Sequence, residues 1–162
     1  MEHLQHLEVH PANLVHFHAF MMTSGMEDKY NEIKKLTLNI PSKTTEVYSP
    51  EFKSALPKSL TTLNLKFELG YSSAQIPIHH SLTRIVAESK TITHLKLEKI
   101  AMFCAEIETF WREALMENRS IVNLKLKNFA NNYSYGDKFL MAIKQRKTRL
   151  HSLKLDNFRI ND

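Results

Sequence analysis

The chain has 162 residues, 43% apolar and 24% charged, with 22 basic against 17 acidic side chains and a formal net charge of +5. That length and balance suit one folded domain and exclude a disordered tail, while the small basic excess predicts no more than a mild preference for acidic partners. A lone cysteine, Cys104, excludes an internal disulfide and suits a reducing, cytoplasmic setting, and with no run of about 18 apolar residues a membrane-spanning helix is excluded.

One pattern, apolar-x-x-apolar-x-apolar, recurs. It reads Leu4-x-x-Leu7-x-Val9, Ile33-x-x-Leu36-x-Leu38, Leu60-x-x-Leu63-x-Leu65, Ile92-x-x-Leu95-x-Leu97, Ile121-x-x-Leu124-x-Leu126 and Leu150-x-x-Leu153-x-Leu155. The starts, at 4, 33, 60, 92, 121 and 150, lie 29, 27, 32, 29 and 29 residues apart. A period of this size marks a repeat architecture, in which each unit buries its apolar face against its neighbours.

The first unit holds His3, His6, His10, His16 and His18, and it has no basic segment of a secretory leader. Residues 13–20 alternate in polarity, so the expected helix competes there with a second short strand or an irregular cap. In the second unit Pro41, Pro50 and Pro57 limit the chain to short pieces, with one helical turn predicted from Glu51 to Leu56. The third has a longer loop, Glu68 to Ile78, with Gly70 and Pro77, and a helix predicted to start near Ser81 and to carry Leu82, Ile85 and Val86.

In the fourth unit the strand is Ile92 to Glu98. Its helix is predicted from Ala105 to Glu117, with Ile107, Phe110, Trp111, Ala114 and Leu115 on one face and a stop at Asn118. The fifth strand, Ile121 to Lys127, precedes a turn-rich stretch, Asn128 to Gly136. Asp137 is a predicted helix N-cap, Phe139, Leu140 and Ile143 follow at helical spacing, and Lys144, Arg146, Lys147 and Arg149 suit a helix C-terminus. A sixth strand begins at Leu150.

Leucine-spaced strands, each followed by a helix and a return after 27 to 32 residues, resemble leucine-rich repeats of the ribonuclease-inhibitor type. The resemblance covers essentially the whole chain, most closely residues 60–162, and Leu56 to Leu65 is also similar to shorter variants with a Leu-Pro-x-Ser-Leu start. It implies a single α/β domain over residues 1–162, a horseshoe-shaped solenoid with a parallel sheet on its concave side and helices on its convex side. The family places an Asn three residues after the last strand apolar position. Here Asn128 and Asn157 fall two residues on, with Phe129 and Phe158 in third place, so apolar packing is predicted to replace an asparagine ladder. Neither end carries a polar cap, which predicts a piece of a longer solenoid, or ends covered by a partner or by self-association.

Between the strand leucines, side chains point to the opposite face in three columns. They are His6, Lys35, Thr62, His94, Asn123 and Ser152; Glu8, Thr37, Asn64, Lys96, Lys125 and Lys154; and His10, Asn39, Lys66, Glu98, Lys127 and Asp156. Six strands about 4.8 Å apart make a surface roughly 24 Å long. Lys96, Lys125 and Lys154 stack as like charges, whose repulsion an acidic partner segment would relieve. Lys66 and Lys127 extend this patch, while Glu98 and Asp156 interrupt it. Without Arg or interleaved aromatics it predicts no specific nucleic-acid binding. Tyr133 and Tyr135, read as exposed in the turn after the fifth strand, are candidate anchors.

Chemistry has little support. His16-x-His18 would share a strand face and His6 with His10 a helix face, but one cysteine and scattered acids complete no zinc set, so no metal or cofactor is predicted. With three glycines and no nucleophile elbow or His-Glu-x-x-His motif, no enzyme is predicted. Cys104 reads as a small buried hydrophobe, and Phe110 and Trp111 as helix packing. The expectation is a non-enzymatic protein-recognition or scaffold module that displays Lys66, Lys96, Lys125, Lys127 and Lys154, with Tyr133 and Tyr135, on rigid strands. The alternative is a structural subunit built permanently into a larger complex. An acidic inhibitor of a basic enzyme is disfavoured because this surface is basic.

Overall fold

Six copies of the motif fold as strands, β1 (His6–Val9), β2 (Lys35–Ile40), β3 (Thr62–Phe67), β4 (His94–Glu98), β6 (Asn123–Lys127) and β8 (Ser152–Asp156), while two short strands, β5 (Ala101–Met102) and β7 (Ala130–Asn131), lie between them. The structure is a computed structural model that describes residues 5–42, 50–68, 75–102, 104–131, 133–146 and 150–157. The fold is α/β. The main sheet has the order β1-β2-β3-β4-β6-β8 and is parallel throughout. Equivalent leucines pair, so Leu7, Leu36, Leu63, Leu95, Leu124 and Leu153 form one row, and Val9, Leu38, Leu65, Leu97, Leu126 and Leu155 a second.

Helices cover the leucine face except at β8, where Leu153 and Leu155 stay exposed. The helices are α1 (Pro11–Thr23), α2 (Glu27–Asn31), α3 (Pro50–Ser54), α4 (Ile76–Glu88), α5 (Ala105–Glu117) and α6 (Tyr133–Gln145). Ile78, Leu82 and Val86 of α4, Ile107, Trp111 and Leu115 of α5, and Phe139 and Ile143 of α6 join the strand leucines in one core. Each such side chain contributes about 1.5–3 kcal/mol on burial. Met21, Tyr30 and Ile33 form a smaller cluster beneath β1 and α1. Among the described residues no helix is long and apolar enough to cross a membrane.

One open alternative resolves and several helix bounds shift against the sequence reading, α3 at Pro50–Ser54 in place of Glu51 to Leu56 among them. Residues 13–20 belong to α1, because Pro11 opens that helix where no N–H is needed. Pro77 plays the same part in α4, which starts at Ile76, five residues before the predicted Ser81. The α6 helix starts at Tyr133, so Asp137 lies inside it and caps nothing. The short α2, with Glu27 and Asp28 in its first turn, had no apolar period to announce it.

Turns after the strands repeat one conformation. Lys99, Asn128 and Asn157 have φ of 59°, 51° and 51°, the left-handed region that Asn tolerates best. Lys99 N–H donates to the Lys127 carbonyl at 2.9 Å and Asn128 N–H to that of Asp156 at 2.9 Å. Phe129, one residue further on, is buried as the apolar-packing expectation required, and so is Ile100, which that expectation did not name. The structure also keeps a short asparagine ladder, since Asn157 Nδ2 donates to Asn128 Oδ1 at 2.8 Å. Phe158 lies outside the described residues.

Where helices return to strands, Asn118 staples neighbouring units. Its Nδ2 donates to the carbonyls of Val86 (2.7 Å) and Ser89 (2.9 Å), and its Oδ1 accepts from the N–H groups of Ser120 (2.9 Å) and Ile121 (2.8 Å). Arg146 Nη2 donates to the Asn118 carbonyl at 2.8 Å and to that of Ile121 at 3.1 Å.

Candidate functional site

Strand pairing brings the predicted columns together. His6, Lys35, Thr62, His94, Asn123 and Ser152 pair in one register, and Glu8, Thr37, Asn64, Lys96, Lys125 and Lys154 in the next. Asn39, Lys66, Glu98, Lys127 and Asp156 form the third, without His10, which is the residue preceding α1 and lies outside β1. This open face, away from the helices, holds six lysines against Glu8, Glu98 and Asp156.

The lysines are not equivalent. Glu98 is held by Lys96 (2.7 Å) and Lys127 (3.2 Å), Lys66 pairs with Glu8 (2.8 Å), and Lys125 reaches Asp156 (3.5 Å). The acids read as interruptions of the patch are thus its internal counter-charges. Burial raises the Glu98 carboxyl, but bonds from Lys96 and Lys127 outweigh it and leave its pKa below the ordinary value. The bond from Lys66, helped by Asn39, lowers that of Glu8. Lys154 is exposed and has no ion pair among the described residues.

A polar ladder that the sequence reading left out stiffens the face. His6 Nε2 and Asn64 Nδ2 each lie 3.1 Å from the Thr37 hydroxyl, which is buried between them. Burial and the neighbouring Lys35 hold the His6 pKa below its usual value. Asn123 Nδ2 meets His94 Nε2 at 2.9 Å, and His94 Nδ1 meets the Thr93 hydroxyl at 2.9 Å. A groove of about 500 Å³ runs over this part of the face, lined by Lys35, Thr62, His94, Lys96, Lys125 and Lys154 among others.

The tyrosine anchors do not lie where the turn reading put them. Tyr133 and Tyr135 belong to the first turn of α6, because the helix starts four residues before Asp137; their side chains lie outside the described set. Both zinc geometries dissolve as well. His6 is on a strand and His10 precedes a helix, and His16 and His18 sit two apart on α1, which turns them to different sides. Among the described residues no group of three His, Cys, Asp or Glu side chains is placed to hold a metal ion. Cys104 is half-buried at the start of α5, and Phe110 lies against His80 with ring centroids 4.9 Å apart.

No protein-family model, curated protein or solved structure matches the chain.

Proposed function

We propose that this is a leucine-rich-repeat-like module that recognises a protein partner without catalysis, using the open strand face as a rigid concave platform for an acidic segment. The in-register lysine column carries the reading. Lys96, Lys125 and Lys154 stand side by side on paired strands above the groove. Fixed strands lose little side-chain and backbone freedom on binding, so a modest charge excess is used efficiently. Lys96, Lys66 and Lys127 are engaged by internal acids, which leaves Lys154 and the outer part of Lys125 as the strongest attractors, with Lys35 at the far end. Tyr133 and Tyr135 stay as candidate anchors at the rim, and the platform operates in a reducing, cytoplasmic setting.

The test is binding of a fluorescent Glu-rich peptide across a salt series. Wild type is expected to bind with an affinity that falls as salt rises, and Lys125→Glu with Lys154→Glu to abolish it while the fold is kept. Salt-independent or unchanged binding refutes the acidic-segment reading. A permanent structural subunit is the second reading, favoured by Leu153 and Leu155, which are 42% and 47% exposed where their counterparts Leu124 and Leu126 are 1% and 0%.

A further inference from the structure

At every junction of the main sheet one carbonyl accepts two successive N–H groups from the following strand. Gln5 accepts from Lys34 (3.1 Å) and Lys35 (3.0 Å), Lys34 from Thr61 and Thr62 (both 2.9 Å), and Thr61 from Thr93 (2.9 Å) and His94 (3.0 Å). Thr93 accepts from Val122 and Asn123 (both 3.0 Å), and Val122 from His151 (2.7 Å) and Ser152 (3.2 Å). The series Gln5, Lys34, Thr61, Thr93, Val122 leads next to the carbonyl of His151, at the outer edge of β8. Among the described residues no strand lies beyond that edge, or beyond β1 at the other end.

We propose that β8 accepts β1 of a second copy of this chain, so that the parallel sheet runs on from one molecule into the next. The donors that continue the series are then Gln5 and His6 of the incoming copy. The same register sets Leu7 beside Leu153, Val9 beside Leu155 and Glu8 beside Lys154. Each match is chemical as well as geometric. Leu153 and Leu155 are nearly half exposed, and Leu7 and Val9 only partly buried. Lys154 has no ion pair among the described residues, and the bonds from Lys66 and Asn39 both fall on Oε1 of Glu8, leaving Oε2 to meet a lysine. An opposite-charge pair across two strands is favourable. The competing joint, β8 against β8, runs antiparallel about a two-fold axis and, centred on the strand, sets Lys154 against Lys154. The β1–β8 joint is heterologous, so it builds open chains and not a closed dimer.

The test uses the full 162-residue chain. Light scattering over a concentration series is expected to show masses that climb past twice 18.9 kDa. Lys154→Glu moves the onset to about tenfold higher concentration, the effect of roughly 1.4 kcal/mol, and mixing it with Glu8→Lys restores association. Cysteine trapping in a Cys104→Ser background reads the register. A parallel pair at about 4.8 Å lies within disulfide range. Glu8→Cys mixed with Lys154→Cys is therefore expected to form a mixed disulfide, and Glu8→Cys mixed with Lys125→Cys none. A mass of 18.9 kDa at every concentration, with no mixed disulfide, overturns the proposal. So does Lys154→Cys that crosslinks to itself as readily as to Glu8→Cys, which assigns the edge to a symmetric pair.

Discussion

Trp111 on α5 donates its indole N–H to Nδ1 of His79 on α4 over 3.0 Å, with both side chains buried. Phe67 of β3 stacks on the same imidazole, ring centroids 4.8 Å apart and planes within 12°. This contact ties two helices and the sheet together through one neutral histidine, and burial pushes the His79 pKa down to about 4 from an ordinary 6.5.

The sign of the resulting pH dependence follows. Between about pH 4 and 6.5 the unfolded chain binds a proton at His79 that the folded chain refuses, so stability rises with pH across that window. The contribution is whole above pH 6.5 and is lost as pH falls toward 4, a change of about 3 kcal/mol at 1.36 kcal/mol per unit. Urea melts at several pH values should show this slope, and His79→Phe should flatten it while costing stability at pH 7 through the stranded indole N–H. An NMR titration that places His79 near 6.5 contradicts the account.

Asn118→Ala removes four hydrogen bonds to the backbone of a buried junction, together with the side-chain contacts to the Ser120 hydroxyl. A loss of about 2–4 kcal/mol is expected, since each bond is worth about 1 kcal/mol and the abandoned carbonyls stay dry. Chemical denaturation gives the number. Peptide binding at the lysine column should survive below the transition, because the side-chain bonds of Asn118 go to Val86, Ser89, Ser120 and Ile121.

Lys99 occupies the left-handed turn position that Asn fills in the next two units. An L-residue other than Asn, Asp or Gly is strained there, so Lys99→Asn or Lys99→Gly should raise stability by about 0.5–1 kcal/mol. Asn128→Ala should lower it by at least as much, because it loses the Asn157 bond too. A thermal melt of the three variants ranks them directly.

The lysines of one column should separate in their effect on stability. Lys96→Met leaves the nearly buried Glu98 with Lys127 alone and is expected to cost about 1–2 kcal/mol at pH 7. Glu98 has a lowered carboxyl pKa, so this cost is present above the ordinary value of 4.5 and shrinks as acid protonates the group. Lys154→Met, with no ion pair among the described residues, should change stability by less than about 0.5 kcal/mol. Equal losses for both would mean that the column is stabilised by something other than Glu98.

Much of the architecture was legible because it rests on a local rule applied six times. Alternation within each copy decides which side chains are buried, and a near-constant period demands the same register from every strand. The α5 helix is legible over about Ala105 to Glu117, since Asn118 stops it and Ile107, Trp111 and Leu115 mark its face. The misplaced starts of α4 and α6 had a different cause. Pro77 suits a loop and a first helical turn alike, and Asp137 has the chemistry of a cap although the helix begins four residues earlier at Tyr133.

By itself the sequence determined the repeat, the six strands and every side chain of the three columns except His10, because period-two alternation leaves only one face for the leucines. Only the tertiary structure decided what those columns do electrically. Glu98 and Lys127, one 29-residue period apart, are column neighbours by the repeat alone, but that Lys66 reaches across to Glu8 from 58 residues away, and that Lys96 shares Glu98, follows from side-chain packing that no period encodes. The same is true of His79, whose ordinary-looking helix position becomes a buried acceptor once α5 brings Trp111 to it. Spacing along the chain dictates which face a residue occupies, whereas its charge state and partners follow from the packing of whole elements against one another.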